Sequence, residues 1–389
     1  MTNIRLFNKI DKSGLELFDE NYNLSEDITD YDGILVRSAK LHDVQFPAGL
    51  KAIARAGAGV NNIPIEKCAE MGIVVFNTPG ANANGVKELA IAALLLGSRD
   101  IAGGIEWAKT LKGSGDVEKL VEKGKSAFAG PEVMGKTLGV IGLGAIGGMV
   151  ANSAYALGMK VMGFDPYITV NAAWGLSRAV IKANSYDDVY ANSDYITLHA
   201  PSTNETRGMI NADTIAKMKD GVRIINLSRG DLINEDDLVA AIESGKIATY
   251  VTDFPSEKLI GVKGVICIPH LGASTPESEE NCARMAAEQI KDYLEFGNIK
   301  NSVNFPDISQ PMNTPYRMVV LHKNVPNMLG SISSVLGSDK VNIESLSNRS
   351  RSNFAVSIID ADSKINETVI KDVEEIEGVI RVNLIDISK

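Results

Sequence analysis

The stretch Thr137-Leu-Gly-Val-Ile-Gly-Leu-Gly-Ala-Ile-Gly-Gly-Met-Val150 decides how this chain is read. Residues 138–142 read as a buried strand, and glycines at 142, 144 and 147 make a tight turn into an apolar helical run reaching residue 157. The first glycine permits the turn, the second lets backbone N–H groups approach a diphosphate, and the third lets the helix pack closely on the strand. A diphosphate there would sit at the positive end of a helix dipole. A second strand, Lys160-Val-Met-Gly-Phe164, ends in Asp165, twenty-one residues after Gly144. A carboxylate at that point accepts hydrogen bonds from both hydroxyls of a ribose and repels a 2′-phosphate. The pattern implies NAD.

The glycine loop lies more than a third of the way along 389 residues, so something folds before it. Residues 4–95 alternate short strands and helices, with strands expected at 33–37, 52–55 and 72–76. The helix over 86–97 carries an apolar face too broad for a surface helix, and the reading places it between domains. After Asp165 strands at 179–182, 194–198, 222–227, 248–251 and 265–268 alternate with helical patterns, which implies a parallel, doubly wound sheet. Residues 302–316, with Pro306, Pro311 and Pro315 among polar residues, read as a linker. Beyond it the pattern is βαββαβ in about 75 residues, the split-βαβ arrangement of ferredoxin-like folds.

Composition narrows the classes. Apolar content of 44% and charged content of 23% suit a globular protein, and no run reaches the roughly 18 apolar residues of a membrane span. The net charge of −10 argues against nucleic acid and anionic membrane surfaces as partners. A small anionic substrate then needs a local cluster of Arg and Lys. Cys68, Cys267 and Cys282 share no metal-ligand spacing and read as buried thiols in a reducing cytoplasm, and no metal is expected.

In an open α/β sheet, ligands bind beyond the carboxyl ends of the strands. Arg229, in Asn226-Leu-Ser-Arg-Gly-Asp, and His270, in Pro269-His-Leu-Gly-Ala-Ser, follow two such strands, and Glu257 lies in the loop after a third. Oxidising a secondary alcohol needs a base for the hydroxyl proton, and histidine suits that role near neutral pH. A carboxylate partner fixes its tautomer, while an arginine binds a carboxylate in bidentate fashion and polarises a carbonyl in the reverse direction.

Together with Arg55-Ala-Gly-Ala-Gly-Val-Asn-Asn62, Phe76-Asn-Thr-Pro-Gly80, Leu198-His-Ala-Pro201 and Pro269-His-Leu-Gly-Ala-Ser-Thr275, these segments make the chain resemble the D-isomer-specific 2-hydroxyacid dehydrogenases over nearly its whole length. The resemblance implies Arg229, Glu257 and His270 as the catalytic set. It implies NAD held by Gly142, Gly144, Ala145, Ile146, Gly147, Asp165, His199, Ala200, Pro201, Leu227, Ser228, Asp253 and Gly272. Relatives usually carry one more residue between the aspartate near the nicotinamide and the catalytic glutamate. Here either Asp253 takes that position in a shortened loop or Thr252 does, and its spacing of 24 from Arg229 favours Asp253. The resemblance places His199 beside the cofactor rather than as the base.

The implied fold is α/β: two Rossmann-like doubly wound parallel-sheet domains, the nucleotide domain inserted into the substrate domain, plus a C-terminal ferredoxin-like domain. The expected boundaries are 1–96 with 273–305 for substrate, 97–272 for NAD, 306–316 for the linker and 317–389 for the tail. The implied substrate is a small phosphorylated 2-hydroxy acid, held by Arg37, Ser38, Arg55, Asn82 and the backbone N–H groups of Ala58 and Gly59. The tail resembles an ACT domain, a module that binds serine in some members of the family, with His322, Asn324 and Asn342 at the effector positions. Asn327 stands where a glycine is usual, and asparagine tolerates left-handed backbone. Paired sheet edges would make a homodimer or homotetramer. Two rival readings stay open: a reductase of glyoxylate, hydroxypyruvate or 2-ketoglutarate, and a redox-sensing corepressor that keeps the dinucleotide site.

Overall fold

The computed structural model describes residues 1–388 and divides into two compact units. One comprises residues 1–82 and the chain from 276 onward, and the other Ala83–Thr275. Among the described residues no helix is long and apolar enough to cross a membrane.

In the first unit five parallel strands, β1 (Thr2–Phe7), β2 (Tyr22–Ser25), β3 (Gly33–Val36), β4 (Ala52–Arg55) and β5 (Val74–Phe76), form a sheet in the order β2-β1-β3-β4-β5. β3 is buried at all four positions, as a central parallel strand covered on both faces must be. The helix Pro276–Phe296 returns across this sheet and buries Ala283, Ala286, Ile290 and Tyr293 against it.

The tail adds four antiparallel strands: β13 (Tyr316–Lys323), β14 (Ile343–Arg351), β15 (Phe354–Ala361) and β16 (Val379–Asp386). These strands stand in the order β14-β15-β13-β16, with helices Met328–Ser338 and Glu367–Glu374 on one face. The ferredoxin-like arrangement expected from the pattern is present. Along β13 the side chains alternate between two cores. Met318 and Val320 pack with Ile332, Leu336, Val369 and Val373 of the helices, while Val319 and Leu321 join Phe76, Tyr293, Ile299 and Phe305. Each large apolar side chain so buried contributes about 1.5–3 kcal/mol, which welds the tail to the first sheet.

Residues 302–316, expected as a linker, pack against their neighbours. Ile308 closes an antiparallel bridge with Ile299, and Phe305 is fully buried against Phe354. The buried Arg317 donates to the carbonyls of Phe296, Gln310 and Pro311, and it pairs with Asp360 through two contacts of 2.6 and 2.9 Å. Prolines remove backbone donors here, and the freed carbonyls are taken by this one guanidinium.

In the second unit seven parallel strands form one sheet: β6 (Thr137–Ile141), β7 (Lys160–Phe164), β8 (Ile181–Lys182), β9 (Tyr195–Leu198), β10 (Val222–Asn226), β11 (Ile247–Thr252) and β12 (Val265–Cys267). Their order is β12-β11-β10-β9-β6-β7-β8, so the winding reverses between β6 and β9. The helix Ala83–Ser98, expected to fall mostly before the boundary at 96, belongs wholly to this unit. Its Ala90, Ala93 and Leu94 pack in a core with Val140, Val150, Ile225 and Val251. The apolar face that the sequence displays is spent on the nucleotide-type sheet, and this moves the boundaries to 82/83 and 275/276.

Candidate active site

The winding reversal between β6 and β9 leaves a crevice at the carboxyl ends of those strands, where an open α/β sheet binds its ligand. The glycine loop occupies that position. Gly142 has φ +87°, and a Cβ on it would stand 2.6 Å from the His199 carbonyl. A Cβ on Gly147 would run into the Gly142 carbonyl. A Cβ on Gly144, by contrast, would meet nothing within 4 Å. Gly144 caps the helix Ala145–Ala156 without any side-chain cap, so the first helical N–H groups, from Ala145 onward, face open space. That is the cradle a diphosphate requires.

Asp165 closes the loop from β7. Its Oδ2 accepts the Leu143 N–H at 2.9 Å and its Oδ1 the Tyr167 N–H at 2.8 Å, and each oxygen keeps a further lone pair. His199 sits against the same loop. Its Nε2 lies 2.9 Å from Thr197 Oγ1, and its buried Nδ1 has no partner among the described residues. Burial pushes its pKa down to about 4, so the ring is neutral near pH 7. A neutral imidazole of such lowered basicity is poorly suited to act as a base for catalysis. Ala200 and Leu227 are buried beside it in the strand ends, and the Ser228 hydroxyl donates to the Leu198 carbonyl at 2.6 Å.

The candidate base follows β12, three strands from β9 in the sheet order. His270 Nδ1 lies 3.0 Å from Asp253 Oδ2, and the Phe254 ring meets the imidazole edge-on at 4.9 Å. Asp253 is buried, whereas the His270 side chain is 60% exposed, so Nε2 is left for a ligand. The hydrogen bond to Asp253 raises the His270 pKa above its usual value, against desolvation and the Arg229 guanidinium. Arg229 is exposed, and its backbone is held by the buried Asn226, whose Nδ2 donates to the Arg229 carbonyl at 2.9 Å. Asn226 also takes the Ser228 N–H, so one buried amide shapes the whole loop after β10.

Glu257 does not stand where the resemblance placed it. Its side chain is exposed and makes no ion pair among the described residues, and the carboxylate on His270 belongs to Asp253. With one residue fewer in this loop, Thr252 ends β11 and Asp253 turns inward, while Glu257 is carried into solvent. Asp253, expected beside the nicotinamide, is thus the histidine's partner. Thr252 is buried, with its Oγ1 taking the Phe254 N–H.

In the other unit, Arg37 and Arg55 end adjacent strands. Arg55 Nε donates to the Arg37 carbonyl at 3.0 Å, and the exposed Arg37 guanidinium pairs with Glu279 at 2.6 Å. Asn8, at φ +72°, accepts the N–H groups of Ser38 and Ala39. The Gly57 turn is fixed by Thr78 Oγ1, and Asn77 Nδ2 donates to the Ala58 carbonyl at 2.6 Å. The N–H groups of Ala58 and Gly59 donate to no protein acceptor among the described residues, as a carboxylate-binding loop requires. Asn77, Thr78 and Asn226 lie in the segments that carry the resemblance but were not singled out as site residues, and at Asn8 only the left-handed tolerance of asparagine offered a signal.

The tail departs from its expectation at His322, which is buried. Its Nδ1 lies 2.8 Å from the Lys323 carbonyl and its Nε2 3.0 Å from Ser357 Oγ, which in turn donates to Asn348. Both nitrogens are used within the sheet, so it is not open to an effector. Asn324 and Asn342 are exposed, and Asn327 takes the left-handed conformation (φ +65°) expected of a glycine replacement.

Comparison with known proteins gives the same picture. Residues 92–272 match the family described as D-isomer specific 2-hydroxyacid dehydrogenase, NAD binding domain. The chain is 37% identical over 332 residues to D-3-phosphoglycerate dehydrogenase of Synechocystis, a match covering 79% of this chain and 57% of that one. It is 39% identical over 296 residues to hydroxypyruvate reductase of Thermotoga maritima, covering 72% and 92%. The NAD+-bound 3-phosphoglycerate dehydrogenase of Entamoeba histolytica superposes with a TM-score of 0.60 at 28% identity, over 78% of this chain and 98% of that one. The chain spans 57–58% of the length of the first phosphoglycerate dehydrogenases it matches.

Proposed function

The chain belongs to the D-isomer-specific 2-hydroxyacid dehydrogenase family, and from that premise we propose that it oxidises D-3-phosphoglycerate at C2 to 3-phosphohydroxypyruvate, the entry step of serine synthesis. The observation that carries the reading is the exposed His270 held through Nδ1 by the buried Asp253, on a sheet whose switch point has a diphosphate cradle. NAD, when bound to the 142–147 loop and Asp165, supplies the hydride acceptor. His270 Nε2 receives the hydroxyl proton. Asp253 fixes the tautomer and stabilises the imidazolium that forms. Arg229 presents its guanidinium to the carboxylate and to the carbonyl oxygen as it develops. Arg37, Ser38, Arg55, Asn82 and the Ala58–Gly59 amides supply the remaining contacts to the phosphorylated acid. The exposed edge strand β14 supports assembly into homodimers or homotetramers. A serine effector at the tail would be read by Asn324 and Asn342 without His322.

The likeness to a hydroxypyruvate reductase along 92% of that protein favours a second reading, in which the substrate is unphosphorylated. NADH formation from 3-phosphoglycerate and from D-glycerate, in wild type and Arg55→Ala, separates the two. The phosphorylated acid should be preferred in kcat/KM, and Arg55→Ala should shrink that preference by about 10–100-fold, the worth of one charged hydrogen bond. Equal rates on the two acids, with no change in their ratio on substitution, would establish the unphosphorylated substrate.

A further inference from the structure

A cavity of about 760 Å³ opens in the first unit, where the end of β14 meets the segment after helix Pro276–Phe296. Its walls include Arg349 and Arg351 from the tail, Asn77 from the loop after β5, and Asn301, Ser302 and Asp307. Arg349 and Arg351 are two apart on one strand, so their side chains leave the same face. Arg351 is tethered, its Nη1 donating to the Ser302 carbonyl at 2.7 Å. Arg349 has no protein acceptor among the described residues, and Asp307 forms no ion pair among them. An acidic protein has here placed two cations on one wall and left one of them uncompensated. Asp307 lines the same cavity, and a carboxylate there adds a second requirement, because it repels a bare anion and accepts a hydrogen bond from one that carries a donor.

The walls are also wired to the loop that presents Ala58 and Gly59. Gln289 donates through Nε2 to the Asn77 carbonyl at 3.0 Å and accepts through Oε1 from Asn301 Nδ2 at 2.7 Å. Asn77 then holds the Ala58 carbonyl through its own amide. A ligand that shifts Asn77 or Asn301 therefore pulls on the amides proposed to receive the substrate carboxylate.

We propose that this cavity is a second anion site, selective for an oxyanion that also carries a hydroxyl donor, of which hydrogen phosphate is the simplest, and that its occupancy is relayed through Asn77 to substrate binding. The relay rests on the substrate role assigned to Ala58 and Gly59, whereas the site itself does not.

Calorimetric titration of the full chain with inorganic phosphate, and separately with sulfate, tests the site. Two phosphate sites are expected in wild type. Arg349→Gln should weaken one at least about tenfold, and Arg55→Ala should weaken the other. Sulfate, which lacks a donor at neutral pH, should bind the cavity more weakly than phosphate, and Asp307→Asn should abolish that discrimination. The KM for 3-phosphoglycerate is then measured with and without saturating phosphate. Competition at the substrate cations is common to wild type and Arg349→Gln, so a difference of about fivefold or more between their KM responses isolates the cavity. Unchanged phosphate binding in Arg349→Gln overturns the site. Loss of that binding with identical KM responses overturns the relay. Failure of Arg55→Ala to alter substrate preference would fall on the proposed function alone, because the phosphate stoichiometry of Arg349→Gln still decides the cavity.

Discussion

Two aspartates, each only 2% exposed, divide the molecule's polar chemistry between them. Asp360, in the tail, has both oxygens occupied: Arg317 donates twice, and Gln310 and Ser345 add to Oδ2. Asp253, in the nucleotide unit, pairs with His270 through Oδ2 and leaves Oδ1 buried without a partner among the described residues. The histidines repeat the contrast, since His322 uses both ring nitrogens inside its sheet and His270 uses one. A buried polar group normally finds its partners, and leaving one unmet costs about 1–3 kcal/mol. Among the described residues, three of the four orphaned buried atoms, on His199, Asp253 and Ser256, lie in the nucleotide unit. Where polarity is saturated the residues serve the fold, and the unmet atoms gather in the unit that carries the proposed dinucleotide site.

The largest effect expected from this division is at Arg317. Removing one partner of a buried ion pair strands the other charge, so Arg317→Ala should destabilise the protein by about 3–5 kcal/mol. Urea unfolding measures this, and kcat per folded molecule should not change. Loss of kcat at undiminished stability would break the comparison, because the saturated pair would then serve the reaction.

Asp253→Asn should do the reverse. As base, His270 must be neutral, so kcat/KM for oxidation rises with pH through its pKa, which Asp253 holds above the usual value. Loss of the carboxylate removes the leading cause of that rise, so the rising limb should move to lower pH. The plateau should fall about 10²-fold as the imidazolium loses its support. Glu257→Gln should leave both limb and plateau within about threefold of wild type, since surface carboxylates contribute little. A pH–rate profile of the two variants decides between the carboxylates, and a collapsed plateau in Glu257→Gln alone would restore the arrangement the family resemblance implied.

How much of this the sequence displayed depended on whether a residue's role was local. The glycine loop was legible because the positive φ at Gly142 and the approach of Gly147 to the Gly142 carbonyl arise within one turn, and Asp165 because it closes that turn from the next strand. Alternating strands and helices were enough for both parallel sheets and for the tail's four-stranded order. The partner of His270 was misplaced because a one-residue change in loop length reverses which side chain points inward, and spacing alone does not register that. The linker expected at 302–316 came from reading prolines among polar residues as a domain connection. Arg317, beyond the prolines, gathers their neighbours' carbonyls, and that long-range contact leaves no pattern in the chain. The run Met318-Val-Val-Leu321 did carry the missing signal, since four apolar residues in succession on an antiparallel strand mean that both faces are covered.

The finest test of the comparison lies at His322. Its two ring nitrogens meet the Lys323 carbonyl and the Ser357 hydroxyl, with Asn348 completing the chain of contacts. His322→Gln keeps a polar group in place but does not reach both partners, so a loss of about 1–2 kcal/mol in urea unfolding is expected. The kcat, the KM for 3-phosphoglycerate and the pH–rate profile should match wild type. Serine added to the assay should act equally on both proteins, whether or not it inhibits. Serine inhibition present in wild type and lost in His322→Gln, at unchanged stability, would mean that the buried ring reports to a ligand after all, and that saturation by protein partners does not mark a residue as structural.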